Sequence, residues 1–314
     1  MKFIMVTILI ILAAISLVTG AGSLNLADLL AFDSGALMLF RESRLPRLMA
    51  ILLAGSGLSI AGLVMQQLLR NRFVSPTTAA TMDSARLGVL VAMMLFSGAG
   101  AVQKMIVAFV FAMAGTFLFL GILRRVKVKN AIMVPLIGIM VGSIIDSVTT
   151  FISYRSDMIQ NVNSWLHGSF SMVLKGQYEL LFLLLPAVAV TYGFARQFTI
   201  VGMGEDMARN LGLKYNQVLN IGIVLVAMIS SLVLVTVGSI PFLGLIVPNL
   251  VTMIFGDNTE RNLTLTALAG AIVLLAADIL SRIVIHPYEV TVSVTAGILG
   301  GVTFLILLLK GERS

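Results

Sequence analysis

Long apolar runs broken by short polar segments set the pattern of this chain. Ten such runs stand out, at about 3–20, 47–68, 79–98, 102–123, 131–152, 178–196, 217–237, 240–255, 263–285 and 290–309. A helix crossing the hydrocarbon core of a bilayer needs about 20 mostly apolar residues. The runs are continuous rather than alternating, which predicts ten transmembrane helices and not barrel strands. The run at 240–255 is short and carries Pro241 and Pro248. The polar segments between runs are mostly short. The chain therefore reads as one all-α integral membrane unit over 1–314, with no room for a soluble domain. The first run, between Lys2 and Thr19-Gly20-Ala21-Gly22-Ser23, imitates a signal peptide. Its length and the nine runs after it favour a retained first span.

Composition agrees. Of 314 residues, 59% are apolar and 11% charged, and the mean hydropathy is +1.05; soluble domains carry about 25% charged residues. The chain has no cysteine, which removes disulfides, thiolate metal sites and thiol catalysis. Its 18 methionines are scattered along apolar faces and read as packing filler. His167 and His286 lie in separate outer segments without an acidic cluster, so no metal site is expected. Trp165 reads as an interfacial anchor. No G-x-x-x-x-G-K-[ST] phosphate loop occurs, so ATP, if used, is bound by another subunit. No nucleophile–base or paired-carboxylate constellation argues for an enzyme.

Charge gives orientation. Ten spans put both ends on one side. Placing the ends inside leaves 13 lysines and arginines inside and 7 outside, as the positive-inside rule requires. The net charge of +7 then needs no nucleic acid to explain it.

Four segments stand out against that background. Arg41-Glu42-Ser43-Arg44-Leu45-Pro46-Arg47 places three arginines on the outer side, against the rule; they read either as snorkelling side chains or as a patch for an acidic partner. The run around Leu53–Gly62 is rich in small residues, which let helix backbones approach in lipid. Ser143, Asp146, Thr150 and Ser153 recur at three- and four-residue spacing and form one polar stripe on an apolar helix. Such a stripe lines a cavity or makes an interhelical hydrogen bond. Residues 197–216 are too polar to span. Gly204, the acids after it and Gly212 predict a short inner helix, either a solvated linker or a docking element for a cytosolic subunit. Asp83 with Arg86, and Asp278 with Arg282, are spaced for local ion pairs.

Taken in order, several motifs resemble one family from about 40 to 310. They are Arg44-Leu45-Pro46-Arg47; the Gly-rich second span ending in Gln66 and Arg70-Asn71; Trp165-Leu166-x-Gly168-Ser169; the Gly202-to-Gly212 segment; Gly238-Ser239-Ile240-Pro241-Phe242-Leu243-Gly244-Leu245-Ile246-Val247-Pro248; and Ala276-Ala277-Asp278-Ile279-Leu280-Ser281-Arg282 with Pro287-x-Glu289. The chain is similar to FecCD-type permeases of the iron-siderophore and cobalamin uptake ABC importers. That resemblance implies the type II importer permease fold, a permease dimer (of like or unlike chains), two cytosolic ATPases that bind ATP and magnesium, and an extracytoplasmic binding protein. It implies that Arg44, Arg47 and Arg282 dock that binding protein. It assigns Gly204, Glu205, Ala208, Arg209, Leu211 and Gly212 to ATPase coupling. It places the path along the fifth and tenth spans, through Ser143, Asp146, Thr150, Ser153, Gly297 and Gly300, with Gly301 alongside. No cofactor is implied in this chain. Where many members carry His after the second proline, this chain has Asn249. With Asn71-to-Thr78 and Met82-to-Gly88, that points to the branch serving catecholate-type siderophores such as petrobactin or anguibactin in a bacterial cell membrane. Cobalamin or haem cargo is the alternative, and an ion-coupled carrier using Asp83, Asp146 and Asp278 is the rival class.

Overall fold

The computed structural model describes residues 1–20, 33–96, 98, 100–126, 132–160, 168–171, 173–285 and 288–311. Trp165, His167, His286 and Pro287 lie outside them, and with them the interfacial-anchor and histidine readings. The described residues form helices joined by turns, with no strand among them. In chain order these are α1 (Lys2–Val18), α2 (Ser34–Leu39), a π-helical turn (Phe40–Arg44) and α3 (Leu45–Leu69). Next come α4 (Thr81–Leu95), α5 (Ala101–Arg125), α6 (Met133–Arg155) and a 3-10 turn (Glu179–Leu183). The rest are α7 (Leu184–Gly193), α8 (Ala195–Gly202), α9 (Glu205–Asn210), α10 (Tyr215–Val237), α11 (Leu243–Phe255), α12 (Thr259–Ile283) and α13 (Val292–Gly311).

Nine of the ten apolar runs overlap one helix each, and the run at 178–196 is divided among the 3-10 turn, α7 and the start of α8. Five helical stretches are long and apolar enough to cross a membrane, or six if the pair α7 and α8, bent by 58°, counts as one. α1, α11 and α13 are apolar but shorter, and α4 has 15 residues. The short ones have a local cause. α4 and α11 follow non-helical segments, 70–80 and 238–242, that fold back into the bundle instead of ending at its edge. Asn71, Val74, Ser75, Ala79 and Ala80 in the first of these are buried. Non-helical backbone inside a membrane protein must find its hydrogen bonds in the protein. Here the Asn71 side chain accepts from the Phe73 amide at 2.9 Å, and Thr78 Oγ1 accepts from the Ser75 amide at 2.9 Å. Asn249 Nδ2 donates to the Arg72 carbonyl at 2.7 Å, tying α11 to this segment.

α3 is the hub, packed against α1, α8, α10, α11 and α12. Its glycines explain the fit. A Cβ on Gly55 would stand 2.7 Å from the Gly270 carbonyl oxygen of α12, and one on Gly62 would collide with the backbone of Gly244 in α11. Pro248 has no amide proton, so the Gly244 carbonyl four residues earlier is left free at the spot where Gly62 approaches. The expected close helix packing is therefore real, and backbone meets backbone.

The helix around Arg41–Arg47 is a correction to the expected loop. Ser34 to Leu69 runs as one helical stretch. Pro46 would ordinarily break it, because it cannot donate to Glu42. The π turn absorbs the missing bond, and the Glu42 carbonyl instead accepts from the Lys175 amide at 3.1 Å.

Candidate docking and translocation sites

Three charged regions lie along the bundle. The first gathers residues from both ends of the chain. Arg47, two residues into α3, donates from Nε (3.2 Å) and Nη2 (2.8 Å) to Asp278 Oδ1 on α12. Its Nη1 grips both carboxylate oxygens of Glu289 at 2.8 and 3.1 Å. Arg282, one helical turn after Asp278, pairs with that same carboxylate. It also donates to the carbonyls of Ser16 (2.9 Å) and Thr19 (2.8 Å) at the C-terminal end of α1. A cation at a helix C-terminus satisfies carbonyls that have no intrahelical donor. Arg44 reaches the Thr19 carbonyl as well. Asp278 is fully buried, and all three arginines are buried. The sequence suggested a free basic patch; the fold turns it inward and neutralises most of it. The expected Asp278–Arg282 pair is present. The carboxylate that faces Arg47 from 242 residues away was not legible.

The second region lies within the spans. Arg86 on α4 pairs with Asp83 at 3.2 Å, as its spacing suggested, and also with Asp146 of α6 at 2.6 Å. Gly142 gives room for this, since a Cβ there would strike the Asp83 carboxylate. Asp146 is thus not alone on its stripe. Ser143 and Thr150 are exposed beside it, while Ser153 is buried. The hydroxyls of Ser143 and Ser153 donate to their own helix, to Ile139 O at 2.8 Å and Thr150 O at 2.9 Å. They need no partner helix, so a stripe of weak polarity remains on α6, and on another face of the helix Ile144, Val148 and Phe151 are exposed. Gly297 and Gly300 on α13 are half-buried and sit against Pro241 (3.6 Å from a Cβ on Gly297) and Phe242 (2.6 Å from a Cβ on Gly300). They face the folded-back segment more than the stripe.

The third region is α9, beside Arg70 at the other end of α3. Gly204 (φ 116°) and Gly212 (φ 78°) bracket it in conformations that L side chains rarely adopt. Its C-terminus closes with two reversed bonds, Leu213 N to Ala208 O and Gly212 N to Arg209 O, both 2.9 Å; this is the Schellman stop. Glu205 and Arg209 pair at 2.6 Å on its exposed side. Ala208 is fully buried and seats the helix on the bundle. Leu211 faces outward, and with Met203 and Met207 it makes an exposed apolar row at four-residue spacing. The methionines were missed in sequence because they look like filler; the i, i+4 repeat across two glycine stops was the available signal. Among the described residues, no three histidine, aspartate or glutamate side chains converge as metal ligands.

Comparison with known proteins agrees with this layout. Petrobactin import system permease protein YclN of Bacillus subtilis (strain 168) is 52% identical over 303 residues, 96% of either chain. Ferric-anguibactin transport system permease protein FatD of Vibrio anguillarum (strain ATCC 68554 / 775) is 40% identical over the whole of both chains. Vitamin B12 import system permease protein BtuC of Serratia proteamaculans (strain 568) is 30% identical over 86% of this chain and 81% of its own. A solved structure of a metal-chelate type ABC transporter in an inward-facing conformation superposes with a TM-score of 0.82 at 24% identity, covering 98% of both chains, and shares the fold. The FecCD transport family profile matches residues 8–310, and the chain belongs to that family.

Proposed function

We propose that this chain is the permease subunit of an ABC importer that carries a ferric siderophore, of catecholate type, into the cytoplasm. The observation that carries the reading is the 52% identity, over 96% of both chains, with a petrobactin permease; the relatives named for vitamin B12 stand near 30%. In this reading the whole chain is one integral unit with ten crossings and both termini in the cytoplasm. It pairs with a second permease. The apolar face of α6, exposed in the single chain, supports such a partner or lipid cover. Separate ATPases bind ATP and magnesium and seat on α9, through Leu211, Met203 and Met207, with Glu205 and Arg209 at the rim. A binding protein docks at the outer end over Arg44, Arg47 and Arg282.

The chain's own task is positional. ATP-driven closure of the ATPases pulls on α9. Its tight glycine stops and its buried Ala208 transmit that motion to α8 and α10. The path then opens alternately along α6, past Ser143, Asp146 and Thr150, and along α13, whose Gly297 and Gly300 back onto Pro241 and Phe242. A large anionic chelate needs a wide, weakly binding route, and hydroxyls already satisfied within α6 offer that.

The test is uptake of iron-55 bound to petrobactin, to anguibactin, to a hydroxamate siderophore, and of labelled cobalamin, in a strain deleted for this chain. Loss confined to the catecholate chelates, restored by the wild-type gene, is expected. Unchanged catecholate uptake overturns the reading.

A further inference from the structure

The outer arginines are of two kinds. Arg282 is fixed: Asp278, Ser16 and Thr19 hold its terminal nitrogens, and 3% of the residue is exposed. Arg47 is held by two unlike carboxylates. Asp278 lies within α12 and is fully buried. Glu289 stands at the edge of the cluster, its side chain 22% exposed, in the short segment between α12 and α13. Both Glu289 oxygens lie on one guanidinium nitrogen, at 2.8 and 3.1 Å.

We infer that Glu289 is a displaceable internal carboxylate that occupies Arg47 until a carboxylate of the docking partner takes its place. The inference rests on the reading of this chain as a permease that receives a binding protein. Asp278 keeps the guanidinium in place throughout, through Nε and Nη2. The exchange swaps one carboxylate for another on Nη1, so no charge is left unpaired in the buried cluster. The released Glu289 is already at the water edge, and its resolvation is cheap compared with that of a buried ion. The partner's contact is thereby an aspartate or glutamate side chain, long enough to enter between α3 and the segment before α13. Release of Glu289 also loosens the segment that leads from α12 into α13. The Val290 amide donates to Ser281 O at 3.0 Å, and the Ser293 amide to Gly168 O at 3.1 Å. Docking is in this way read directly by α13, which carries Gly297 and Gly300.

The test uses the permease assembled with its ATPase in lipid nanodiscs, and its cognate extracytoplasmic binding protein, immobilised on a biosensor. Glu289→Gln should bind about tenfold tighter than wild type, because Arg47 no longer has to give up a charged partner. Glu289→Asp keeps the negative charge but is one methylene shorter and cannot reach; it should also bind tighter. Arg47→Ala should bind weakly with either residue at 289. Glu289→Gln at or below wild-type affinity overturns the inference, and so does a Glu289→Asp variant that matches wild type, since charge repulsion alone would then explain the Gln result. Absence of binding by wild type and every variant overturns the docking reading itself, and this inference with it.

Discussion

α3 and α6 are alike as sequences and opposite as structural elements. Both are spanning-length apolar helices with a few polar residues and several glycines. Yet 78% of the most apolar stretch of Ser34–Leu69 is buried, against 28% for α6. The difference lies in what the small and charged residues meet. Gly55 and Gly62 let α3 touch the backbones of α12 and α11, and Arg47 locks its N-terminal end to two carboxylates. Among the described residues α6 leans mainly on α4, α5 and the 70–80 segment, through Gly138 against Thr78, Gly142 against Asp83 and an ion pair to Arg86, with the Asp146 side chain still 45% exposed. One helix is scaffold. The other is a peripheral wall with a free face, available to the proposed path.

The largest effect should come from the scaffold's charge lock. Asp278→Ala leaves Arg47 with Glu289 alone and buried Arg282 without its carboxylate, and should cost about 3–5 kcal/mol. Thermal unfolding in nanodiscs should show a large drop, with α1 the first segment open to protease, because Arg282 loses the anchor that aims it at Ser16 and Thr19. Next, Gly62→Leu drives a side chain into the Gly244 backbone and should cost about 3 kcal/mol, read as lost yield and a lowered midpoint. The α6 counterparts should be mild. Asp146→Asn weakens a half-exposed pair and should cost about 1 kcal/mol, while Ile144→Ala on the free face should stay within about 0.5 kcal/mol. If the α6 changes destabilise as strongly as the α3 changes, the division into scaffold and wall is wrong.

The same contrast shows what the sequence carries and what it hides. Helix type and approximate extent were legible from the continuous apolar runs, and α9 from its two glycines and leading acids. The helix through Arg41–Arg47 was hidden because Pro46 reads as a break unless Lys175, far along the chain, is known to take the freed carbonyl. The shortness of α4 and α11 was hidden in the same way, since segments 70–80 and 238–242 are stabilised inside the bundle by distant partners such as Asn249. For the sites, spacing reveals pairs within one helix: Asp83 with Arg86, Asp278 with Arg282. It cannot reveal Asp146 on Arg86 or Glu289 on Arg47, where tertiary packing chooses the partner. A physical rule did point the right way, since charge buried in or near lipid must be matched, but the rule names no address.

The proposed role of α6 is to line a water-filled path that moves with nucleotide. The chain has no cysteine, so single Ser143→Cys, Thr150→Cys and Ser59→Cys variants each carry one reactive thiol. In the assembled transporter, a membrane-impermeant thiol reagent should label positions 143 and 150, and the rate should change severalfold between ATP-bound and nucleotide-free states. Position 59, fully buried in α3, should stay unlabelled in both. Equal labelling at 59 and 150, or labelling at 143 and 150 that ignores nucleotide, would contradict the account.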